Sequence, residues 1–118
     1  MRSLLLVDDS PISRKILRKL LPSEGYEIRE ASSGLECLAE HHRQPADLIF
    51  LDLTMPGMDG FETLARLKAL DPKVKVVVVT ADIQTTSQSR CLELGALQVI
   101  CKPPKAEVLG QALERLDP

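Results

Sequence analysis

The sequence predicts an α/β fold in which five βα units form a doubly wound sandwich around one parallel sheet. Short apolar runs of strand length alternate along the chain with segments whose apolar residues recur at helical spacing, which is the pattern of repeated βα units. The runs Leu48–Leu51 and Val74–Val79 are almost continuously apolar, as in parallel strands that are covered on both faces.

The first two units contain a helix with a clear start and an alternating strand. Leu4–Val7 is the first strand, after which Ser10 can cap a helix that Pro11 begins. Tyr26–Ala31 alternates between apolar and polar residues, and a shorter helix follows Gly34. The residues expected to face the core from these two helices are Ile12, Ile16, Leu17, Leu20 and Leu21, then Leu35, Leu38 and Ala39.

The last three units contain the two most apolar strands and a weaker fifth strand, Leu97–Cys101. Leu48–Leu51 runs into Asp52, and Val74–Val79 ends at Thr80. The fourth helix begins with the polar segment 84–89, whose side chains compete for backbone hydrogen bonds, so we expect it to be the least stable helix. The apolar residues expected to face the core from helices three and five are Phe61, Leu64, Leu67, Val108, Leu109, Ala112, Leu113 and Leu116.

The composition of the strands predicts their order in the sheet. Strands one, three and four are apolar throughout, whereas strands two and five are not, and alternating strands belong at edges. The order 2-1-3-4-5 places the weaker pair at the two edges and permits right-handed crossovers throughout. This is the flavodoxin-like order of doubly wound sheets.

Length and charge limit the possible classes of protein. The 118 residues allow one domain, 1–118, with its own core, and we expect no output domain in this chain. The formal net charge is -2, which gives no basic field for a nucleic acid backbone or an anionic membrane surface, so we expect neither as a direct partner. The first apolar run is too short for a signal peptide or a membrane span, which predicts a cytoplasmic protein.

The cysteines and histidines suggest no metal site. Cys37, Cys91 and Cys101 have no metal-ligand spacing, and their odd number fits a reducing compartment, so we interpret them as small buried residues. His41 and His42 lie beside charged residues and are interpreted as a solvated surface.

Polar residues follow four of the predicted strands at their carboxyl ends. Asp8 and Asp9 follow strand one, Asp52 follows strand three, Thr80 ends strand four and Lys102 follows strand five. These ends converge at the ligand-binding edge of an open α/β sheet. Three carboxylates that repel one another require a cation, and Mg²⁺ fits because it takes oxygen ligands and retains several waters. A hydroxyl, a metal and an ammonium around one carboxylate would stabilise a phosphoryl group in transfer, with Asp52 as the nucleophile that forms an aspartyl phosphate.

With these residues in place, the whole chain resembles the response-regulator receiver domain of two-component signalling. The resemblance implies Asp52 as phosphoacceptor, Asp8 and Asp9 as Mg²⁺ ligands directly or through water, and the backbone carbonyl of Thr54 as a further ligand. It also implies Thr80 as the switch hydroxyl, Lys102 as the partner of the phosphoryl group, and a cis bond between Lys102 and Pro103. The motifs that carry it are Leu6-Val7-Asp8-Asp9-Ser10, Leu51-Asp52, Met55-Pro56-Gly57-Met58-Asp59-Gly60, Thr80-Ala81 and Lys102-Pro103.

The resemblance also implies the partners. A sensor histidine kinase or phosphotransfer protein would supply the phosphoryl group, and an unidentified downstream protein would bind the surface of helix four, strand five and helix five. The chain would be a signalling switch and not a turnover enzyme, as a monomer or a weak phosphorylation-dependent dimer. We interpret the basic residues of helix one as a solvated face, and the resemblance implies that the neighbouring surface is the docking site for the kinase: Arg14, Lys15, Arg18 and Lys19.

One position departs from the family pattern. Val99 stands where the family usually has an aromatic switch residue on the fifth strand. A valine has one stiff side-chain torsion and little volume. We therefore expect the signal to pass mainly through the backbone of residues 81–89. In the family, the positions of Thr54 and Asp82 tune hydrolysis of the phosphoryl group.

Other classes of function remain as alternatives. A flavin-binding module would need a loop that cradles a phosphate after strand one, where Asp8 and Asp9 would repel it. A conventional phosphatase or hydrolase would be expected to carry a second carboxylate two positions after Asp52, where the chain has Thr54. A phosphorylation-independent interaction module of the same fold is the stronger alternative. Such modules tend to lose an acidic or lysine group, and none is missing here.

Overall fold

The computed structural model describes residues 1–116, so that the last two residues of the predicted domain, 117–118, lie outside the described range. Five parallel strands form one sheet in the order β2-β1-β3-β4-β5, which confirms the predicted α/β class and strand order. The strands are β1 (Arg2–Val7), β2 (Tyr26–Ala31), β3 (Leu48–Leu51), β4 (Val76–Thr80) and β5 (Gln98–Cys101).

A helix follows each strand, and three of the helices begin with a side-chain cap. The hydroxyls of Ser10 and Ser33 and the carboxylate of Asp59 each accept the N–H of the residue three positions on. The fourth and fifth helices have no such bond at their cap residues, Gln84 and Lys105. The helices are α1 (Pro11–Leu20), α2 (Gly34–Arg43), α3 (Gly60–Leu70), α4 (Thr85–Glu93) and α5 (Ala106–Glu114).

The apolar core consists of one cluster on each face of the sheet. Alternate residues of β1 point to opposite faces, so that Leu4 and Leu6 belong to one cluster and Leu5 and Val7 to the other. The first cluster is completed by α1 and α5, and the second by α2, α3 and α4. Both faces are therefore covered, which explains why the three inner strands β1, β3 and β4 are buried along nearly their whole length.

Two helices bury a narrower stripe than their sequences predict. On α1, Leu17 and Leu21 are buried, whereas Ile12 and Ile16 are 72% and 46% exposed. On α2 the exposed residues are Leu35 and Ala39, and the buried pair is Cys37 and His41, four residues apart. A helix that packs on a sheet buries mainly one row at spacing i, i+4, so apolar residues about 100° or more from that row remain in solvent.

His41 is buried, so its predicted place on a solvated surface was wrong, whereas His42 is exposed. The side chain of His41 is 2% exposed, and its Nδ1 accepts the N–H of Ala46 at 3.0 Å. Its Nε2 then carries the proton and donates to Oδ2 of Asp71 at 2.9 Å. This hydrogen bond is the main reason that the pKa of Asp71 lies below its usual value. The imidazole therefore joins the end of α2 to the end of α3.

The predicted burial of the three cysteines is confirmed for two of them and wrong for the third. Cys37 and Cys91 are buried as predicted, and burial raises the pKa of Cys37 to about 12. Cys101, at the end of β5, is exposed and does not fit the prediction. No helix within residues 1–116 has the length and apolar character that a membrane crossing would need.

We predict that His41→Leu lowers the free energy of unfolding by about 1–3 kcal/mol, because the buried N–H of Ala46 loses its acceptor. The matched control is His42→Leu, which changes an exposed neighbour and should alter stability by less than about 0.5 kcal/mol. Urea unfolding of the two variants measures the difference. Equal losses in both would show that His41 has no special stabilising role.

Candidate functional site

Backbone pairing brings the predicted site residues to one edge of the sheet. Val7 pairs with Leu51 at the ends of β1 and β3, and the N–H of Asp52 donates to the carbonyl of Val7 at 2.9 Å. The residues that follow these strands, Asp8 and Asp52, therefore lie side by side. On the other side of β3, the N–H of Lys102 donates to the carbonyl of Thr80 at 2.7 Å.

Three carboxylates meet at this edge. Asp8, Asp9 and Asp52 each offer an oxygen, and these oxygens lie within 4.8 Å of one another. Asp8 and Asp52 are buried, whereas Asp9 is exposed and forms the open side of the cluster. The side chain of Asp9 accepts no hydrogen bond from the residues that the structure describes. The predicted convergence of these three residues is therefore present in the structure.

Lys102 lies between two of the carboxylates. Its Nζ is 2.8 Å from Oδ2 of Asp8 and 3.6 Å from Oδ1 of Asp52. Burial by itself would lower the pKa of Lys102, but the hydrogen bond to Asp8 and the charge of Asp52 raise it above its usual value. Lys102 is therefore a fixed cation next to the predicted nucleophile.

One lysine ammonium faces three carboxylates at this edge, and the pKa of Asp52 reflects both these charges and its burial. Burial is the main cause of a raised pKa at Asp52, and the charges of Asp8 and Asp9 act in the same direction. The Lys102 ammonium and the N–H of Thr54, which donates to the Asp52 carboxylate, act against them. The net result is a raised pKa at Asp52, to which burial contributes most.

The donor set fits a small divalent cation. It consists of carboxylate oxygens, which are the ligands that Mg²⁺ prefers, and the exposed side at Asp9 leaves room for the waters that Mg²⁺ retains. Thr54 is exposed, and its N–H is directed to Asp52. The role of the Thr54 carbonyl as a metal ligand stays a prediction.

Thr80 is buried at the end of β4, where its hydroxyl faces the loop that follows. The hydroxyl oxygen accepts the N–H of Asp82 at 3.0 Å, and no hydrogen bond joins it to Asp52 in the described chain. Val99 is half-buried and packs against the cluster that contains α2, α3 and α4. The bond between Lys102 and Pro103 is cis, as the resemblance implied.

The contacts of two residues at this edge were not predicted, although both residues were named from the sequence. Arg14 donates from Nη1 to the carbonyl oxygen of Asp8 at 2.6 Å, although it was interpreted as part of a solvated face. Gly60 is needed because a Cβ there would lie 2.5 Å from the Asp52 carbonyl oxygen. A possible signal for Gly60 was its place directly after the helix cap Asp59, where a glycine has no advantage for helix formation. For Arg14 the sequence offered no local signal.

Comparison with known proteins agrees with this geometry. Residues 4–114 match the family model described as the response regulator receiver domain. The chemotaxis protein CheY of Listeria monocytogenes is 35% identical over 98% of this chain and 98% of its own length. The sensor histidine kinase RcsC of Salmonella typhimurium is 36% identical over 93% of this chain, which spans only 12% of that protein.

A solved structure supports the same assignment. The CheX–CheY complex with BeF3 and Mg²⁺ from Borrelia burgdorferi contains a chain that superimposes with a TM-score of 0.89 and 30% identity, over 98% of this chain and 88% of that one. The family model covers most of the sequence, and the full-length relative and the fold agree with it. The chain therefore belongs to the response regulator receiver domain family.

Proposed function

We propose that this protein is the phosphoacceptor of a two-component signalling system and that Asp52 receives the phosphoryl group in a Mg²⁺-dependent reaction. The observation that carries the proposal is the buried Asp52 carboxylate with Asp8, Asp9 and Lys102 around it. An oxygen of Asp52 forms a bond to phosphorus while the bond from phosphorus to the donor breaks. The electron pair of that bond leaves with the donor nitrogen of a phosphohistidine or the donor oxygen of a small phosphodonor.

The residues around Asp52 have separate tasks in this proposal. Lys102, which Asp8 holds at 2.8 Å, presents its ammonium to the phosphoryl oxygens. Asp8, Asp9, Asp52 and the carbonyl of Thr54 would hold Mg²⁺, which when bound supplies positive charge to the phosphoryl oxygens. The outcome is a modified side chain, so we propose a signalling switch and not a turnover enzyme.

The alternative is an interaction module of the same fold that does not use phosphate. Such a module has no need to gather three acids and a lysine at a cost in charge repulsion, and here all four side chains converge. The geometry therefore favours the phosphoacceptor.

We predict that Asp52→Asn abolishes phosphorylation by a small phosphodonor in the presence of Mg²⁺, because an amide is not a nucleophile. The matched control is Asp59→Asn in the following loop, since Asp59 caps α3 and Asn caps equally well. Intact mass spectrometry measures the phosphoryl group, and chelation of Mg²⁺ should prevent its addition to the native chain. Phosphorylation of Asp52→Asn at the native level would show that Asp52 is not the acceptor. A native chain that never gains phosphate would support the interaction module.

We further propose that phosphorylation is transmitted through residues 81–89. The hydroxyl of Thr80 accepts the N–H of Asp82, so that the switch hydroxyl and the loop are directly joined. The carboxylate of Asp82 accepts the N–H of Gln84 at 2.9 Å and the hydroxyl of Ser87 at 2.6 Å. The bond from Ser87 is the main reason that the pKa of Asp82 lies below its usual value. Because Gln84 provides no side-chain cap, Asp82 holds the start of α4 instead.

This arrangement supplies a route that does not need an aromatic residue at position 99. A movement of the Thr80 hydroxyl toward a phosphoryl group on Asp52 would disturb its bond with Asp82 and, through Asp82, the first turn of α4. Val99 is half-buried, and its branched side chain has one stiff torsion. The surface of α4, β5 and α5 would then change mainly through the position of α4.

We predict that beryllofluoride with Mg²⁺ changes amide hydrogen exchange most in residues 81–89, by several-fold. The expected reason is that the Thr80 hydroxyl exchanges its bond with Asp82 for a contact with the phosphoryl mimic, which also disturbs the bond between Asp82 and Ser87. Val99→Ala should retain the change, and Thr80→Val should lose it. A change concentrated in β5, or one that vanishes in Val99→Ala, would assign the switch to Val99 instead.

The surface next to Lys102 offers a place for the phosphodonor protein. An apolar groove of about 310 Å³ lies between α1 and the cis-proline loop, with Ile16 and Pro104 in its walls. Ile16 is 46% exposed, and Lys15 lies exposed beside it. By contrast, the basic residues Arg14 and Arg18 are paired with Glu30. We propose that a histidine kinase or phosphotransfer protein docks here through an apolar face flanked by acidic residues.

We predict that Ile16→Ser slows phosphotransfer from a phosphohistidine protein by roughly ten-fold, which corresponds to ~1.4 kcal/mol of lost contact in the complex. Phosphorylation by a small phosphodonor should keep its rate because the site itself is untouched. The matched control is Leu35→Ser, another exposed apolar helix residue, which lies on α2. Rapid-quench measurement of both reactions tests the docking surface. Equal slowing with both donors would mean that the substitution damaged the site.

A further inference from the structure

We propose that Arg14 is a positioning residue for the metal-binding edge, where it fixes the Asp8–Asp9 peptide and so holds the Asp9 carboxylate in the acidic cluster. The inference rests on the proposed function. Arg14 lies in the first turns of α1, and its Nη1 donates to the carbonyl oxygen of Asp8 at 2.6 Å. That oxygen belongs to the peptide unit that links Asp8 to Asp9.

The contact constrains Asp9 more than the other acids. A peptide unit is planar, so a fixed carbonyl oxygen also fixes the direction in which the chain continues to Asp9. Asp52 is placed by its backbone bond to Val7, and the Asp8 side chain is held by Lys102 and by the N–H of Ser10. The side chain of Asp9 has no hydrogen bond with the described residues, and its position therefore follows that of its backbone.

Arg14 is itself held in place by an ion pair. Its Nε donates to Oε1 of Glu30 at 2.8 Å, and Arg18 donates from Nε to the other carboxylate oxygen of Glu30 at 2.9 Å. The Arg14 side chain is only 16% exposed. Burial would raise the pKa of Glu30, but the two arginines hold it below its usual value, so that the pair stays charged. A guanidinium can bind the carboxylate and the carbonyl at once because its donors point in different directions.

The role is positional because the charge of Arg14 alone would work against the metal. A cation this close to the acids opposes Mg²⁺, and the single carboxylate of Glu30 is shared by Arg14 and Arg18, so any gain in Mg²⁺ affinity from Arg14 must come from the bond to the Asp8 carbonyl. Residues that orient metal ligands typically contribute 10- to 100-fold to metal affinity. Mg²⁺ needs near-ideal octahedral geometry, whereas Ca²⁺ tolerates irregular sites. A displaced Asp9 should therefore weaken Mg²⁺ more than Ca²⁺.

The test compares Arg14→Gln with Arg18→Gln in the full chain without any phosphodonor. Both variants remove one arginine from Glu30, but only the first removes the bond to Asp8. Titration of backbone amide shifts gives the affinities for Mg²⁺ and Ca²⁺, and urea unfolding shows that both variants fold. We expect Arg14→Gln to weaken Mg²⁺ binding by about ten-fold, with a smaller loss for Ca²⁺. Arg18→Gln should stay within about two-fold for both metals.

Four results would overturn the inference. Unchanged Mg²⁺ affinity in Arg14→Gln would leave Arg14 with a structural role only. Equal losses for Mg²⁺ and Ca²⁺, or an equal effect of Arg18→Gln, would indicate a general disturbance of α1 and not a displaced Asp9. A native chain whose Mg²⁺ affinity is unchanged by Asp9→Asn would remove Asp9 from the metal site, and with it the basis for Arg14. Phosphorylation of Asp52 could still occur in that case, so the two failures are distinguishable.

Discussion

The pairing of β1 with β3 is the constraint on which the rest of the site depends. The N–H of Asp52 donates to the carbonyl of Val7, so two acidic residues are placed at the same height on neighbouring strands. Shifting the pairing by one residue would turn every apolar side chain of a strand to the opposite face. Because both faces are buried, the core enforces the register. Apolar packing far from the site thus holds together carboxylates that repel each other.

Three carboxylates and one ammonium lie at the carboxyl edge of the sheet, and this excess of acidic groups is a property of the site itself. Lys102 pairs closely with Asp8 and less closely with Asp52, and the carboxyl that would react keeps a raised pKa mainly because it is buried. The fold tolerates this cost because each fully buried leucine or isoleucine below the site contributes about 1.5–3 kcal/mol. The addition of a phosphoryl group to Asp52 would further change the charge at this edge.

The amino ends and the carboxyl ends of the strands are stabilised by different contacts. At the edge opposite the acids, His41 joins the ends of α2 and α3 through two hydrogen bonds. Near the acids, α4 begins without a side-chain cap and relies on Asp82, which is also joined to the Thr80 hydroxyl. The loop before α4 is therefore tied to a group that would respond to phosphate. The hydrogen bonds of His41 and the loop before α4 that would respond to phosphate therefore lie in separate parts of the fold.

Sequence alone determined the elements, their order and the residues at the carboxyl edge. Strand and helix periods are local, and parallel strands bring their carboxyl ends together whatever their partners, so Asp8, Asp52, Thr80 and Lys102 could be placed without coordinates. Only the tertiary structure decided which stripe of each helix is buried, and hence the exposure of Ile12 and the burial of His41. It also decided the partners of Arg14, because Asp8 and Glu30 meet it from two different strands. A helix's rotation about its axis and the contacts between distant segments follow from packing of the whole chain, which no local pattern encodes.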